Sequence, residues 1–132
     1  NESEAVYFAS YFHPEYLKRK GEIETLGKEC ALILAEKFKR RVDLHTSRFT
    51  ATFKGGREVI VPTYEVDVLR VTGAGDSWQA GNAYGELLGL DDYERLMFAN
   101  AVAAYYISNP AGKHGTIPDI INFIKTSSLR KL

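Results

Sequence analysis

Apolar residues recur at three- and four-residue spacings over several stretches of the chain, which is the pattern of amphipathic helices. The longest predicted helix runs from about residue 22 to residue 40. Shorter helices are predicted from the chain start to just before Pro14, after Gly75, and after Asp91 or Asp92. A last helix would carry Pro118 in its first turn, and the tail from Thr126 onward is expected to fray.

The same spacing predicts which helix faces turn inward. In the longest helix these residues are Ile23, Leu26, Cys30, Ile33, Leu34 and Phe38. In the helix after Gly75 they are Ala80, Ala83, Tyr84, Leu87 and Leu88. In the last helix they are Ile120, Ile121 and Ile124.

Alternation of apolar and polar residues predicts β-strands in the middle of the chain. The alternating runs are Val42, Leu44, Thr46 and then Phe49, Ala51, Phe53. Lys54-Gly55-Gly56-Arg57 is a strong turn signal before the apolar run 59–61, so a β-hairpin is predicted that Pro62 ends. Residues 64–71 are also predicted to form a strand. A helix followed by a strand favours a parallel sheet, to which the hairpin would add antiparallel strands, so the fold class is α/β.

The stretch Val71-Thr72-Gly73-Ala74-Gly75-Asp76-Ser77-Trp78 joins the last predicted strand to a helix. Its two glycines let the backbone turn sharply and approach a ligand closely. The first N–H groups of a helix have no partner inside the helix, and the helix dipole is positive there. The amides from Gly73 to Asp76 are therefore expected to point at an anion, most simply a phosphate.

Asp76 admits two interpretations. It is a good residue for an N-cap, which would make it a structural feature of the helix start. A carboxylate beside a phosphate site would instead take a proton from an attacking hydroxyl group. Trp78 occupies the third glycine position of a dinucleotide-binding motif, and no Gly-Lys-Ser/Thr occurs, so Rossmann and P-loop sites are excluded.

Composition excludes several classes of partner. The 132 residues amount to one domain, with 17 Lys and Arg balancing 17 Asp and Glu. No overall charge favours binding to nucleic acid or to an anionic membrane. No apolar run approaches the roughly 20 residues of a membrane span. The single cysteine, Cys30, excludes an internal disulfide and fits a reducing compartment, so we expect a cytoplasmic protein in which Cys30 is a core residue.

Thr72-Gly73-Ala74-Gly75-Asp76, followed by a small-residue helix with Ala80-Gly81, resembles the C-terminal signature of the ribokinase/PfkB carbohydrate kinases. The resemblance implies a ribokinase-like, doubly wound α/β/α domain. Residues 1–132 would be its C-terminal, nucleotide-binding part with a β-hairpin. Because members of this family are considerably longer, we expect the chain to be a fragment.

The resemblance extends to a second motif of the family, Asn-x-x-Glu, which Asn1 and Glu4 match. It implies that Glu4 helps to place Mg²⁺ and phosphate and that Asn1 lies near the nucleotide phosphates. One carboxylate suffices for Mg²⁺, which keeps several waters and the phosphates of its substrate. Taken alone, the same residues indicate only a solvated helix start with an acidic first turn.

Two further positions carry implied contacts with the nucleotide. Asn100, in the small-residue run 98–104, matches a nucleotide-contacting position of the family. Ser47 and Arg48 fall where the family has a loop that touches the phosphates. The chain departs from the family there, because Thr46 and Phe49 stand in place of glycines.

Arg70 is a second departure from the family pattern. Many family members have an aspartate at this position that helps to bind a monovalent cation, and an arginine does not ligate a cation. We therefore expect no potassium requirement and hypothesise that Arg70 supplies a fixed positive charge. The structural alternative is a surface arginine that pairs weakly with Asp67.

The implied activity is ATP-dependent phosphotransfer to a primary hydroxyl of a sugar or nucleoside, with ATP and Mg²⁺ as cofactors. Asp76 would be the base, and the amides of Gly73, Ala74, Gly75 and Asp76 would form the anion hole. Two alternatives stay open: a non-catalytic nucleotide-binding or regulatory module of the same fold, and a kinase for a vitamin-type alcohol. No nucleic acid or membrane partner is expected, and a homodimer formed through the N-terminal part of such a kinase is compatible with the resemblance.

Overall fold

The computed structural model describes all 132 residues. The chain divides into two compact units, Asn1–Ile60 and Val61–Leu132. The helices and strands, in chain order, are α1 (Glu2–Ser10), a 3₁₀ helix (Pro14–Lys18), α2 (Ile23–Phe38), β1 (Val42–His45), β2 (Phe49–Lys54), β3 (Arg57–Pro62), α3 (Ala74–Leu87), α4 (Asp92–Ser108) and α5 (Ile117–Thr126).

In the first unit, α1 packs on α2 at a glycine. A Cβ atom on Gly27 would lie 2.6 Å from the Cβ atom of Glu2, so only glycine permits this approach of the two helices. Cys30 lies fully buried in the core, and burial raises the pKa of its thiol to about 11. The predicted role of Cys30 as a core residue is confirmed.

The three strands form one sheet in the order β1-β2-β3. β1 pairs with β2 in antiparallel register, with Val42 opposite Phe53. The turn between β2 and β3 consists of Gly55 and Gly56, whose φ angles are 57° and 76°. Two consecutive left-handed residues are what the type I′ turn of a tight hairpin requires. The predicted hairpin is therefore confirmed.

In the second unit, α3 and α4 pack closely against each other. A Cβ atom on Gly81 would lie 2.9 Å from the Cα atom of Ala99, so the two backbones come together where α3 has no side chain. Arg95 crosses the same interface almost fully buried, with its guanidinium bonded to Asn82 of α3 and to Asp92. The rest of the core lies between α4, α5 and Tyr64, and includes Phe98, Ala101, Ala104 and Ile120.

The buried face of α3 differs from the predicted one. Four residues of this helix are buried: Ser77, Trp78, Gly81 and Gly85. The predicted face is exposed instead, with Tyr84 at 42%, Leu87 at 83% and Leu88 at 56%. The larger apolar residues determined the predicted face, but the contact with α4 is made on the side of Gly81 and Gly85, where the two backbones can approach each other. At the ends of α2 the predicted inward residues Ile23 and Phe38 are likewise exposed, as is Ile121 of α5.

Residues 64–71 do not form the predicted strand. Only Tyr64 makes a bridge, to Leu129, and the amides of Leu69 and Arg70 donate to the carbonyl of Ile107 at the end of α4. Because these amides bond to a helix terminus, they are not available to a neighbouring strand. The sheet therefore contains no parallel strand from this segment.

The C-terminal tail is ordered by the same bridge. The amide of Glu65 donates to the carbonyl of Ser128 at 2.9 Å, and the amide of Arg130 donates to the carbonyl of Thr63 at 2.8 Å. The prediction of a frayed tail from Thr126 was wrong. Short pairs of this kind leave no periodic signal in the sequence.

We expect Gly81→Ala to destabilise the protein by about 2 kcal/mol, because the new methyl group meets the backbone of Ala99 and overpacks the interface. In an unobstructed helix the same change would stabilise by about 1 kcal/mol. Urea unfolding followed by the fluorescence of Trp78 measures the difference. Ala83→Gly on the exposed side of α3 is the control, with an expected cost of about 1 kcal/mol. A Gly81→Ala variant more stable than the parent would contradict the close approach.

Candidate anion-binding site at the start of α3

A tight turn precedes α3. The amide of Ala74 donates to the carbonyl of Val71 at 3.1 Å, which closes residues 71–74 into a β-turn. Gly73 has φ 84° and ψ −1°, the geometry of the third residue of a type II turn, where glycine is strongly favoured. The glycine at this position is thus required by the turn itself.

Tyr106 of α4 lies against the same turn. A Cβ atom on Gly73 would come within 3.0 Å of the Tyr106 hydroxyl oxygen. That hydroxyl group donates to the carbonyl of Thr72 at 3.3 Å. Tyr106 therefore fixes the position of the turn relative to α4, and a side chain at residue 73 would disturb this contact.

The turn leaves three amides at the helix start without a partner. The first bond to the helix start runs from the amide of Ser77 to the carbonyl of Gly73 at 2.9 Å. The N–H groups of Gly73, Gly75 and Asp76 have no acceptor within the protein. The prediction for Ala74 was wrong, because its N–H group is used to close the turn.

Asp76 is the third residue of α3 and does not cap it. The N-cap is Gly73, and no side chain bonds to the free amides. The Asp76 side chain is exposed and makes no hydrogen bond or ion pair. The capping interpretation is therefore excluded. Asp76 therefore presents a free carboxylate in the first turn of α3, next to N–H groups that have no hydrogen-bond acceptor.

Asn100 lies inside the second unit, behind Trp78. Its side-chain oxygen accepts a hydrogen bond from Trp78 Nε1 at 2.9 Å, and its side-chain nitrogen donates to the carbonyl of Pro62 at 3.1 Å. Only 2% of Asn100 is exposed. These contacts hold Trp78, two residues after Asp76, in place. A direct contact between Asn100 and a nucleotide stays a prediction.

Asn1 and Glu4 form a reciprocal cap at the start of α1. The Glu4 amide donates to Asn1 Oδ1 at 3.0 Å, and the Asn1 backbone nitrogen donates to Glu4 Oε2 at 2.6 Å. This is the structural interpretation of the pair, and the roles toward nucleotide and Mg²⁺ stay predictions. The Glu4 carboxylate is nevertheless exposed, so its second oxygen is accessible to a cation.

Ser47 and Arg48 lie in the exposed turn between β1 and β2. Ser47 Oγ donates to Glu24 at 2.9 Å, and the Arg48 guanidinium pairs with Glu22 at 3.2 Å. Thr46 Oγ1 accepts from the amides of Arg48 and Phe49 at 3.2 and 3.1 Å. The amides of Arg48 and Phe49 thus donate to the Thr46 hydroxyl group. In a glycine loop these amides would be free to bind a phosphate.

The predicted site residues fall in both units. Gly73, Gly75 and Asp76 come together at the start of α3, with Asn100 in the interior of the same unit. Asn1, Glu4, Ser47 and Arg48 belong to the first unit. No group of three or more His, Cys, Asp or Glu side chains forms a metal site. A Mg²⁺ ion with one protein carboxylate and substrate phosphates is compatible with the donors present. None of the helices has the length and apolar character needed to cross a membrane.

Sequence reasoning missed Tyr106 as a site residue. It is separated from Thr72 by 34 positions, and an aromatic residue on a helix is an ordinary core residue. No spacing rule connects the two. The glycine at position 73 is the only local indication that something approaches the turn.

Comparison with known proteins identifies the family and the fold of the chain. The model of the family described as pfkB family carbohydrate kinase matches residues 15–119. An "Uncharacterized sugar kinase" of Archaeoglobus fulgidus is 42% identical over 62 residues, which are 47% of this chain and 25% of that protein.

Solved structures show the fold. The ribokinase of Thermotoga maritima superposes with a TM-score of 0.78 at 19% identity, over 96% of this chain and 41% of the ribokinase. The 2-dehydro-3-deoxygluconokinase of the same organism gives 0.63 at 21% identity, over 94% of this chain and 46% of the enzyme. A protein from E. coli assigned as ribokinase II, in complex with ATP and Mg²⁺, gives 0.64 at 21% identity, over 80% of this chain and 34% of its own. The predicted ribokinase-like fold is confirmed, and the chain spans less than half the length of these relatives.

Gly73→Ala is expected to cost more stability than a left-handed residue alone explains, because the methyl group also meets Tyr106. The matched control is Gly89→Ala, where φ is 71° and a Cβ atom would meet nothing within 4 Å. The control should lower the free energy of unfolding by about 1–2 kcal/mol, and Gly73→Ala should lower it clearly more. Urea unfolding measures both losses. Pyrophosphate affinity, followed by Trp78 fluorescence, should fall tenfold or more only for Gly73→Ala. Equal losses in both variants would contradict the role of the Tyr106 contact.

Proposed function

Because the chain belongs to the pfkB family of carbohydrate kinases, we propose that it forms the C-terminal, nucleotide-binding part of a kinase. This kinase transfers the γ-phosphoryl group of ATP to a primary hydroxyl of a sugar or nucleoside. The observation that carries the proposal is the free carboxylate of Asp76 beside the unfilled amides at the start of α3. The helix dipole favours a negative charge at this position, and no hydrogen bond or ion pair occupies the Asp76 carboxylate, so it is available to a hydroxyl group of a substrate.

In the proposed reaction, Asp76 accepts the proton of the acceptor hydroxyl group. The hydroxyl oxygen forms a bond to the γ-phosphorus, the bond from that phosphorus to the β,γ-bridging oxygen breaks, and ADP leaves. The amides of Gly73, Gly75 and Asp76 stabilise the charge that develops on the phosphoryl oxygens. Preorganised donors of this kind, together with correct positioning, account for most of the acceleration in phosphoryl transfer.

The first unit contains four further residues with predicted roles toward nucleotide or Mg²⁺. Glu4, with the phosphates and water, would hold Mg²⁺, which supplies positive charge to the phosphate oxygens. Asn1 would lie near the phosphates as well. Ser47 and Arg48 are exposed in the β1–β2 turn, where the Arg48 guanidinium is a donor suited to phosphate. Asn100 would act through Trp78, which it holds by a hydrogen bond.

A second candidate function is a non-catalytic nucleotide-binding module. The observation that favours it is the turn at Thr46, whose hydroxyl group occupies the amides of Arg48 and Phe49. In this case MgATP would bind at the amides of the α3 start, and no phosphoryl group would be transferred. The same turn is compatible with a kinase if Ser47 and Arg48 contact the phosphates by their side chains.

Asp76→Asn distinguishes these functions. The substitution removes the base but keeps size and polarity, so MgATP should bind with nearly unchanged affinity while turnover falls about 10²- to 10⁴-fold. Binding is followed by titrating MgATP against the fluorescence of Trp78, the single tryptophan. Turnover is measured with a panel of sugars, nucleosides and vitamin-type alcohols, for the 132-residue chain and for any longer polypeptide that contains it.

The matched control is Asp67→Asn, at another exposed aspartate without a side-chain partner. Its turnover and MgATP affinity should equal those of the parent. An Asp76→Asn variant with nearly full turnover would show that Asp76 is not the base. A parent protein that binds MgATP but transfers phosphate to no acceptor of the panel would favour the non-catalytic module.

A further inference from the structure

The side chain of Arg70 lies among backbone carbonyl groups. Its guanidinium donates to the carbonyl of Tyr106 at 2.7 Å, to that of Asn109, and to that of Pro110 at 3.3 Å. No carboxylate accepts from it, so the pairing with Asp67 that the sequence allowed is not formed. Three neutral oxygens therefore converge on one positive charge.

The surroundings of the guanidinium are built around it. The carbonyl groups belong to the last turn of α4 and the residues that follow, where the helix dipole is negative. The guanidinium carbon lies 5.6 Å from the centroid of the Tyr106 ring. On another side is Gly112, with φ 64°, where a Cβ atom would lie 3.4 Å from the guanidinium carbon. The loop after α4 thus wraps around the charge of Arg70.

The carbonyl groups around Arg70 are connected to the turn and the free amides at residues 71–76, which we call the anion-binding turn. The amides of Leu69 and Arg70 donate to the carbonyl of Ile107 at 2.9 and 3.3 Å, so the backbone ahead of the turn is tied to α4. Tyr106, which contributes a carbonyl group to Arg70, also contacts Gly73 and bonds to Thr72 through its hydroxyl group. Whatever fills the space between the three carbonyl groups therefore affects the position of the free amides.

We propose that Arg70 is a positioning residue that acts as a built-in cation: its guanidinium occupies a carbonyl site that would otherwise take a monovalent metal ion. Backbone carbonyl groups that converge on one point replace the hydration shell of an ion such as K⁺. In this chain the covalently attached charge does the same, so the anion-binding turn is ordered without a soluble cation. The consequence for MgATP affinity rests on the proposed function, whereas the cation site itself does not.

Arg70→Ala tests the proposal, because it removes the charge and leaves the three carbonyl groups unpaired. The melting temperature is measured in KCl and in choline chloride at equal ionic strength. We expect the variant to melt several degrees lower than the parent in choline chloride and to regain at least half of the loss in KCl. The parent should show the same melting temperature in both salts. Arg57→Ala, at an exposed arginine of the hairpin, is the control and should respond to neither salt.

The MgATP titration by Trp78 fluorescence gives a second readout. The dissociation constant of Arg70→Ala should rise about tenfold in choline chloride and recover in KCl, while that of the parent is independent of the salt. If the parent binds no MgATP, the proposed function fails, and the melting temperatures still decide the cation site. Equal melting temperatures of Arg70→Ala in the two salts would overturn the proposal, as would a potassium requirement of the parent.

Arg70→Lys decides the outcome if Arg70→Ala does not fold in either salt. A lysine keeps the positive charge without the planar fork of donors. We expect Arg70→Lys to fold, with a melting temperature that is the same in KCl and choline chloride. A lysine variant as unstable as Arg70→Ala would overturn the proposal, because charge would then not be what the carbonyl groups require.

Discussion

The contact between Tyr106 and the turn at Gly73 is the constraint on which the candidate site depends. The ring of Tyr106 stands where any side chain at residue 73 would begin, and its hydroxyl group holds the carbonyl of Thr72. The free amides follow within three residues, so they have little freedom relative to α4. The position of α4 is itself set by the close approach of Gly81 and Ala99. A contact between two helix backbones thus determines the position of the free amides that we propose as an anion site.

The charge of Arg70 also favours an anion near the start of α3. The net charge of the chain is zero. In the first unit, Arg19 forms an ion pair with Glu29, and Arg48 forms one with Glu22. Arg70 differs because only neutral carbonyl groups surround it. Its positive charge is therefore not cancelled locally, and a charge of this kind favours a nearby anion even in a neutral protein.

Much of the fold was predictable because the relevant signals are local. The Gly55-Gly56 turn, the long helix α2 and the cap at Asp91 each follow from a few adjacent residues. The prediction for residues 64–71 was wrong because the amides there bond to Ile107 at the end of α4, more than thirty residues away. The prediction of the inward face of α3 was wrong for a related reason. The contact with α4 depends on a distant helix, and it buries the glycines of α3 rather than its larger apolar residues.

Only the part of the candidate site formed by adjacent residues was predictable from the sequence. The glycines and Asp76 are adjacent in sequence, so the turn and the free amides at the start of α3 were recognisable from the motif. The loss of the Ala74 amide to the turn, the ring of Tyr106 and the carbonyl groups around Arg70 depend on dihedral angles and on residues distant in the chain. No pattern of residue types encodes them. Asp76 as a cap was a reasonable alternative that only the geometry excludes.

The division into two units has a practical consequence for following how the protein unfolds. The first unit contains the single cysteine, and the second contains the single tryptophan. Both side chains are buried, and the raised pKa of Cys30 keeps its thiol protonated and unreactive near neutral pH. Alkylation of Cys30 therefore reports the opening of one unit, while the emission of Trp78 reports the opening of the other. The unmodified chain thus carries one intrinsic probe for each unit, so cooperativity between them is directly observable.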